Sequence, residues 1–273
     1  MKFEINYKER LYFGIMLVIS FLAYSYLVYT MFLAKSYIYF YIIAFLLFRL
    51  LSSLFLIGYI KGNAIKISKE QFPDIFDILQ NHSQILGLKK TPDMYVLQGN
   101  GVLNAFATRF SRKNFVVLYS DIFEMAYEEG KDAVSFIIGH ELGHIKRNHV
   151  GFIKSILILP AHFIPFLNTA YSRACEYTCD NVGYNLSAKG ATSGLLILAA
   201  GKKLYKKIDL SNLINNAKDR PGFAFWFSEL FFTHPHLIKR LAVLNKLNRN
   251  NLDLENIDFI IPKVKFKGPE IQH

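Results

Sequence analysis

His140-Glu141-Leu142-Gly143-His144 sets two imidazoles four residues apart, with a carboxylate between them. On an α-helix, residues four apart lie on one face, one turn above each other, so both imidazoles can reach a single metal ion. Glu141 would then lie beside the metal, where it can take the proton of a zinc-activated water molecule. The spacing therefore predicts a helix that carries a hydrolytic zinc site.

The residues around this motif favour a helix with a broad buried face. Seven apolar side chains recur at helical spacing: Ala133, Val134, Phe136, Ile137, Ile138, Leu142 and Ile145. Apolar residues at such intervals form the face of a helix that packs against a core. We therefore predict a helix over residues 132–149.

A third ligand is needed, because catalytic zinc sites take three protein ligands and keep a fourth position open. Glu176 is the candidate, on a second predicted helix over residues 172–180. Asp180, one turn beyond Glu176, could accept a hydrogen bond from the free ring nitrogen of a ligand histidine and so fix its tautomer. Arg173 could balance the negative charge of these two carboxylates.

Two alternatives for this second helix stay open. Cys179 could ligate the metal in place of Glu176, or the acidic and basic side chains could form an ordinary solvated face. The paired histidines upstream favour the metal site with Glu176. Cys175 and Cys179 are one helical turn apart, a spacing that does not usually form a disulfide, and this low cysteine count fits a reducing compartment.

Two long apolar runs at the N-terminus predict a membrane anchor. Residues 11–34 are uninterrupted, and residues 37–60 are interrupted only by Arg49. Each run is long enough to cross a bilayer as a helix, and the two-residue connection predicts a tight antiparallel hairpin. Arg49 is costly within a span, so we expect it to face a protein partner or a water-filled recess.

The positive charges around the hairpin predict its orientation. Lysine and arginine residues lie on both outer sides of the hairpin, whereas the turn carries Lys35 alone; the outer ones are Lys2, Lys8, Arg10, Lys61, Lys66 and Lys69. The positive-inside rule then puts both ends, and with them the catalytic region, in the cytoplasm. We expect an integral membrane protein, in the cell membrane if the source is bacterial.

The formal net charge of +11 raises the possibility of a nucleic-acid partner. The sequence has no recognition motif of that kind, so we expect none. A lysine-rich face formed by Lys202, Lys203, Lys206 and Lys207 favours contact with anionic lipid instead. The oligomeric state cannot be read from the sequence.

The rest of the chain predicts an α+β fold that is mainly α-helical, with a small β-sheet. Predicted helices cover residues 68–88, 122–127, 223–232 and 237–247, and predicted strands cover residues 94–97, 103–108 and 115–119. The basic C-terminal residues 262–273 are expected to be loosely held. The predicted domains are a membrane anchor over residues 1–62 and a catalytic domain over residues 63–273.

The apolar stretch over residues 150–168 is too short for two membrane spans. A single span is excluded as well, because it would put His144 and Glu176 on opposite sides of the membrane. We therefore predict a helix broken at Pro160 and Pro165 that packs on the core or lies against the bilayer. His149 is expected to interact with a helix C-terminus rather than with the metal.

Together these motifs resemble the membrane-anchored zinc metallopeptidases of the HtpX/Ste24 type, the M48 peptidase family. The resemblance runs from about residue 68 to residue 244. It is carried by four motifs in order: Asn104-Ala105-Phe106-Ala107, the zinc helix over residues 140–149, Ser172-Arg173 with Glu176 and Asp180, and Thr233-His234-Pro235 followed by Arg240.

The resemblance implies a zincin-like metallopeptidase domain with one zinc ion per chain, held by His140, His144 and Glu176, and with Glu141 as the base. It implies that Asp180 supports a ligand and that His234 stabilises an oxyanion or acts as a displaceable fourth ligand. Arg240 is expected to be structural. The strand at Asn104, Ala105, Phe106 and Ala107 is the expected place for an extended substrate to add as a further strand.

The resulting hypothesis is a membrane-anchored zinc endopeptidase that hydrolyses unfolded or membrane-associated polypeptides. A processing protease with one dedicated target is a second possibility. A non-catalytic zinc-binding scaffold or chaperone of the same fold is a third, although such a protein has no use for Glu141. A basic module that binds the membrane surface would leave the zinc motif unexplained.

Overall fold

The computed structural model describes residues 3–34, 37–99, 104–110, 113–128, 130–216 and 222–252. Its helices are α1 (Tyr7–Ala34), α2 (Ile38–Asn63), α3 (Pro73–Ile85), α4 (Ser120–Glu128), α5 (Asp132–Lys146), α6 (Phe152–Leu157), α7 (Leu167–Leu186), α8 (Ala188–Leu204), α9 (Leu210–Asn216), α10 (Phe223–Phe231) and α11 (Leu237–Leu252). Its strands are β1 (Ile65–Ile67), β2 (Asp93–Leu97), β3 (Ala105–Phe110) and β4 (Lys113–Tyr119), and short 3-10 helices cover Pro160–Phe163 and Tyr205–Lys207. The mainly helical α+β prediction is confirmed.

The four strands form one mixed sheet in the order β1-β2-β4-β3. β2 and β4 pair in parallel at its centre, whereas β1 and β3 pair antiparallel at its two edges. The central strands are buried, as their runs of branched and aromatic side chains require. β3 is half-buried, and among the described residues it has a strand neighbour on one side only.

α5 is the central helix, packed between the sheet and helices α7 and α8. Its apolar face is almost wholly buried, and Phe136 is among the largest fully buried side chains. α5 and α7 approach unusually closely because glycine lies at their crossing: a Cβ on Gly139 would lie 3.1 Å from the Cα of Gly183, and one on Gly143 would lie 3.2 Å from the Cα of Cys179. This close approach brings the histidines of α5 to the carboxylates of α7.

α1 and α2 are both long and apolar enough to cross a membrane. Their side chains are largely exposed, including Phe21, Phe32 and Phe55. α1 also packs along α7, where Met16 is completely buried beside Tyr171. The predicted turn at residues 35 and 36 lies outside the described part of the chain, as does the C-terminal segment over residues 262–273.

The apolar stretch after the zinc helix contains no helix long enough to span a membrane. α6 has six residues and ends before Pro160, where the 3-10 helix begins, and α7 starts two residues after Pro165. The predicted breaks at the two prolines are therefore found. α7 begins five residues before the predicted start at residue 172, since the turn at Phe166 takes a left-handed conformation that ends the irregular segment.

Several element boundaries differ from the prediction. α3 begins at Pro73 rather than at residue 68, because proline suits the first turn of a helix and the preceding Phe72 takes a left-handed conformation. α5 ends at Lys146, three residues before the predicted end, and Asn148 then turns the chain with φ of 55°. The short strand β1 and the helix α9 were not predicted, because runs this short carry little periodic signal.

Candidate metal centre

The structure brings three nitrogen and oxygen donors from α5 and α7 into one cluster. The Nε2 atoms of His140 and His144 lie 3.3 Å apart. Oε2 of Glu176 lies 3.5 Å from His140 Nε2, and its Oε1 lies 3.3 Å from His144 Nε2. The helical spacing of the motif and the glycine contacts between α5 and α7 together account for this convergence.

The donor set fits a zinc ion. Ligand bonds of about 2.0–2.2 Å in a tetrahedral site separate the ligand atoms by about 3.3–3.6 Å, which matches these three distances. Glu176 is 3% exposed, and within the described part of the chain no donor makes a hydrogen bond to its Oε2. The Arg240 guanidinium lies 3.7 Å from this oxygen, too far for a hydrogen bond, so a metal cation can bind it as a nearer partner.

The charge around His140 also favours a cation. Burial alone would lower the pKa of its imidazole, but the carboxylates of Asp180 and Glu176 raise it to about 10. The two buried carboxylates therefore produce a negative potential at the point where the three donors converge.

Asp180 orients His140. Its Oδ1 lies 2.9 Å from His140 Nδ1, and Arg240 donates two hydrogen bonds to the same carboxylate, at 2.6 and 2.8 Å. Burial would raise the pKa of Asp180, but the Arg240 guanidinium and His140 together hold that pKa below its usual value. A charged Asp180 accepts a hydrogen bond from Nδ1–H of His140. Nε2 is then the ring nitrogen of His140 that faces His144 and Glu176.

The predicted role of Arg173 is wrong. Its Nη1 donates to the carbonyl oxygens of Glu229 and Phe232, at 2.5 and 2.7 Å, and so holds the end of α10. The cation that pairs with Asp180 is Arg240, from α11. The carbonyls at the end of α10 therefore bind the Arg173 guanidinium, and Arg240 takes the place beside Asp180.

The expectation for His149 is wrong as to its partner: the residue follows the end of α5 and lies outside the cluster of His140, His144 and Glu176, but its side chain binds His144 and Glu9 rather than a helix C-terminus. Its Nδ1 lies 3.1 Å from Nδ1 of His144, and its Nε2 lies 3.1 Å from Oε1 of Glu9, a residue of α1. Glu9 is 1% exposed and also accepts a hydrogen bond from Arg147 at 3.0 Å. Burial is the main reason that the pKa of His149 falls to about 4, so its imidazole is neutral at pH 7.

These contacts define a directed chain of hydrogen bonds. His149 has one proton to give, and the Glu9 carboxylate can only accept, so Nε2–H of His149 donates to Glu9. Nδ1 of His149 lies 3.1 Å from Nδ1 of His144 and 3.7 Å from Sγ of Cys179; with Nδ1–H of His144 as the donor, Nε2 of His144 is the nitrogen that faces the cluster. Asp180 gives His140 the same orientation through a single hydrogen bond from its Nδ1–H.

A cavity of about 260 Å³ opens on the cluster. Its polar lining includes Glu141, Glu176, His234 and Arg240, and its wall includes Asn104. His234 Nε2 lies 3.5 Å from Glu176 Oε2, and its side chain is 64% exposed. The cavity wall therefore combines a buried carboxylate, Glu141, with a solvent-facing imidazole, His234.

The open edge of β3 lies at this cavity, since Ala105 is part of the cavity wall. The carbonyl of Asn104 accepts from the N–H of Tyr119, and the register then pairs Phe106 with Val117. In an antiparallel pair, hydrogen-bonded residues alternate with residues whose backbone groups point away. The N–H and C=O groups of Ala105 and Ala107 therefore point to the open edge.

Two further groups of potential ligands lie nearby in the described part of the chain. One is His144, His149 and Cys179; the other is Glu9, His149 and Cys175. Both need His149, which is already bonded to His144 and Glu9. Both cysteines are buried and free of disulfides, and burial raises the pKa of the Cys179 thiol well above its usual value. Neither cysteine is part of the wall of the cavity that contains Glu141.

One family profile matches this chain: the profile described as peptidase family M48 matches residues 69–159 and 151–248, together more than half of the sequence. Among solved structures, the chain is similar to the crystal structure of Ste24p from S. mikatae, with a TM-score of 0.48 and 16% sequence identity. That alignment covers 85% of this chain and 66% of the other, so this chain spans slightly less than two thirds of that protein. A comparison with curated proteins gave no match.

Proposed function

This chain belongs to peptidase family M48, and we propose that it is a membrane-anchored zinc endopeptidase acting on unfolded or membrane-associated polypeptides. The observation that carries the proposal is the convergence of His140, His144 and Glu176 on one point, with the buried Glu141 beside them in an open cavity. Zinc at that point would supply Lewis-acid chemistry, activating water and polarising the scissile carbonyl.

The side chains around the cavity have distinct roles in this proposal. Glu141 accepts the proton of the attacking water and delivers it to the leaving amine, as a general base and then a general acid. His234, across the cavity and solvent-facing, donates to the oxyanion that develops on the substrate. Arg240 keeps Asp180 charged, and Asp180 in turn orients His140.

The metal dependence tests this proposal. Removing zinc with a chelator should abolish cleavage of an unfolded polypeptide by the purified protein in detergent, and adding back one equivalent of zinc per chain should restore it. Cleavage that persists after complete removal of the metal would contradict the proposal. Zinc binding without cleavage of any polypeptide would favour the scaffold or chaperone hypothesis.

The open edge of β3 supports a role in substrate binding, because an extended peptide can add there as a further strand. The Ala107→Pro substitution removes an N–H that points to the open edge, while leaving the pairing with β4 intact. We expect it to raise the KM for an unfolded substrate with little change in zinc content. The matched Thr108→Pro substitution removes a hydrogen bond of the β3–β4 ladder and should lower the melting temperature instead. Equal KM values for Ala107→Pro and the wild type would contradict strand addition.

The hydrogen-bond chain from Glu9 through His149 to His144 supports a positioning role for both residues. Loss of the outer partner of a ligand histidine typically weakens metal binding about 10–100-fold, and we expect that loss for Glu9→Ala and for His149→Phe. Competition with a zinc chelator measures it, and the visible spectrum of the cobalt-substituted protein reports any change in ligand geometry.

The control is His82→Gln. His82 is buried and bonded to Ser135 through Nε2, but it does not touch the metal cluster. This variant should lose stability and keep the zinc affinity and cobalt spectrum of the wild type. Glu9→Ala with unchanged zinc affinity would show that Glu9 only stabilises the packing of α1.

The two apolar helices support an anchor over residues 1–62 that crosses the membrane twice, ahead of a peptidase domain over residues 63–273. The excess of lysine and arginine on both outer sides of the hairpin supports a cytoplasmic location for that domain. The predicted recess for Arg49 has a counterpart in the structure, where Arg49 and His162 are both part of the wall of a small cavity. Lys206 and Lys207 are exposed, whereas the side chains of Lys202 and Lys203 lie outside the described part of the chain.

A further inference from the structure

The segment between the metal helix and α7 runs alongside α1 for roughly half of its length. Near the start of α1, Glu9 contacts Arg147 and His149. Farther along, Ser20 Oγ accepts from the N–H of Ala161 at 3.3 Å, and the hydroxyl of Tyr24 donates to the carbonyl of Ile156 at 2.6 Å. At 1.5 Å per residue, Ser20 and Tyr24 lie about 16 and 22 Å beyond Glu9.

α2 gives a second and independent measure of how far this segment reaches along the two apolar helices. Arg49 lies near the middle of α2, about 21 Å along the helix from Asn63. It is part of the wall of a cavity of about 140 Å³. The other residues of the wall come from α2 and from the segment in question: Phe45, Leu46, Phe152, Ser155, Ile156, Leu159 and His162. Residues 152–162 therefore contact α1 near its midpoint and share the wall of a cavity with residues near the midpoint of α2.

The irregular part of this segment, after α6, satisfies most of its backbone N–H groups within the protein. The N–H groups of Ile158, Leu159, Ala161, His162, Ile164 and Leu167 all donate to carbonyls within the segment. Pro160 and Pro165 have no N–H to satisfy. His162 Nδ1 donates to the carbonyl of Ile158, and Tyr24 satisfies that of Ile156. Irregular backbone is tolerated at membrane depth only when its polar groups are satisfied in this way.

The side chains of the segment are equally suited to lipid. Ile153 is 74% exposed and Phe163 is 83% exposed. Lys154 is the only lysine, arginine or acidic residue among residues 151–168. Its Nζ turns back to the carbonyl of Arg147 at 3.3 Å and lies over the ring of Phe13, so its charge is directed away from the tip of the segment.

α10 presents a second exposed aromatic surface next to this segment. Phe223, Trp226, Phe227, Phe231 and Phe232 are all exposed. The ring of Phe231 packs against Phe166 with centroids 5.2 Å apart, and Thr169 donates to the carbonyl of Leu230. α10 is thus fixed beside the first turn of α7, where residues 152–166 end. Aromatic side chains of this kind are favoured at the boundary between headgroups and acyl chains.

We propose that residues 152–166 form a re-entrant hairpin that enters the lipid to about the middle of the bilayer, and that the aromatic face of α10 lies in the boundary region of the same leaflet. This inference rests on the proposed crossing of the membrane by α1 and α2. The two elements form one lipid-contacting surface, with the bilayer as its occupant.

The position of the metal centre relative to the bilayer follows from this arrangement. Glu9 lies two residues before the apolar run over residues 11–34 and is joined through His149 to His144. The metal cluster therefore sits at the level of the membrane surface, with α10 beside the approach to His234. The cavity then admits polypeptide segments that lie on the bilayer or emerge from it.

The single tryptophan of the sequence, Trp226, provides the test. The full-length protein is reconstituted in phosphatidylcholine vesicles whose acyl chains carry bromine atoms, which quench tryptophan fluorescence, at a shallow or a deep position. The wild type should show blue-shifted emission, quenched more by shallow than by deep bromines. The W226F/L157W protein should show the reverse order, because Leu157 is exposed and adjoins Ile156, whose carbonyl binds Tyr24 at the deepest of the contacts with α1. F163W in the W226F background replaces L157W should the latter fail to fold, since Phe163 is exposed and follows Ala161, which contacts Ser20.

The W226F/F21W protein is the control, since Phe21 is exposed on α1. Quenching at position 21 without quenching at positions 226 and 157 overturns the re-entrant hairpin and leaves the membrane anchor intact. Absence of quenching at position 21 overturns the membrane anchor itself. Blue-shifted Trp226 emission that bromines do not quench means that protein, such as a second copy of the chain, covers α10, and this also overturns the proposal.

Discussion

The Glu141→Gln protein is expected to bind zinc as the wild type does and to lose about 10²–10⁴-fold in the rate of peptide hydrolysis. Glutamine has the same shape as glutamate but cannot accept a proton at neutral pH. Because Glu141 lies in the cavity wall beside the metal cluster, the substitution removes the base without removing a ligand. The measurement is the kcat for an unfolded polypeptide, with zinc content determined on the same preparation.

Asp132→Asn is the matched control for this prediction. Asp132 is an exposed carboxylate at the first position of the same helix, about two turns from His140. The Asp132→Asn protein should have the same kcat and the same zinc content as the wild type. A Glu141→Gln protein that retains most of its kcat would show that another group takes the proton.

The second large effect is expected for Glu176→Gln. A neutral amide is a poor ligand for zinc, and the substitution removes the one carboxylate that, among the described residues, contacts both histidines of the cluster. Loss of a direct ligand should exceed the about 10–100-fold cost of losing an outer partner, so the purified protein should contain little zinc and no measurable peptidase activity. Elemental analysis and the same cleavage assay measure both quantities.

Glu229→Gln controls for the loss of a partly buried carboxylate. Glu229 pairs with Lys239, away from the metal cluster, so this variant should keep its zinc. If Glu176→Gln also keeps a full equivalent of zinc, the metal is held elsewhere, and His149 with Cys179 becomes the first alternative to examine.

The parts of the site that follow from local spacing could be predicted from the sequence. His140 and His144 are separated by one helical turn, as are Glu176 and Asp180, so each pair lies on one face of its own helix. Three of the four strands could be predicted for the same reason, since each has enough alternating or consecutive apolar residues to be recognised in the sequence. The lengths of the two apolar runs likewise predicted α1 and α2.

Contacts between distant residues could not be predicted in this way. Arg240 reaches Asp180 from 60 positions away, and Glu9 reaches His149 from 140 positions away. Neither pairing leaves a periodic pattern, because each depends on how whole helices pack. His149 was missed for a local reason as well: α5 ends at Lys146, and the left-handed turn at Asn148 folds the chain back onto His144. Asn148 itself was the available sequence signal for this turn, because asparagine takes a left-handed conformation more readily than most residues.

The central claim is that one zinc ion is held by His140, His144 and Glu176. Anomalous X-ray diffraction from crystals of the purified protein, collected on both sides of the zinc absorption edge, tests it most directly. The account predicts one anomalous peak per chain, between the two Nε2 atoms and the Glu176 carboxylate. A peak centred on His144, His149 and Cys179, or crystals of zinc-supplemented protein with no peak, would contradict it.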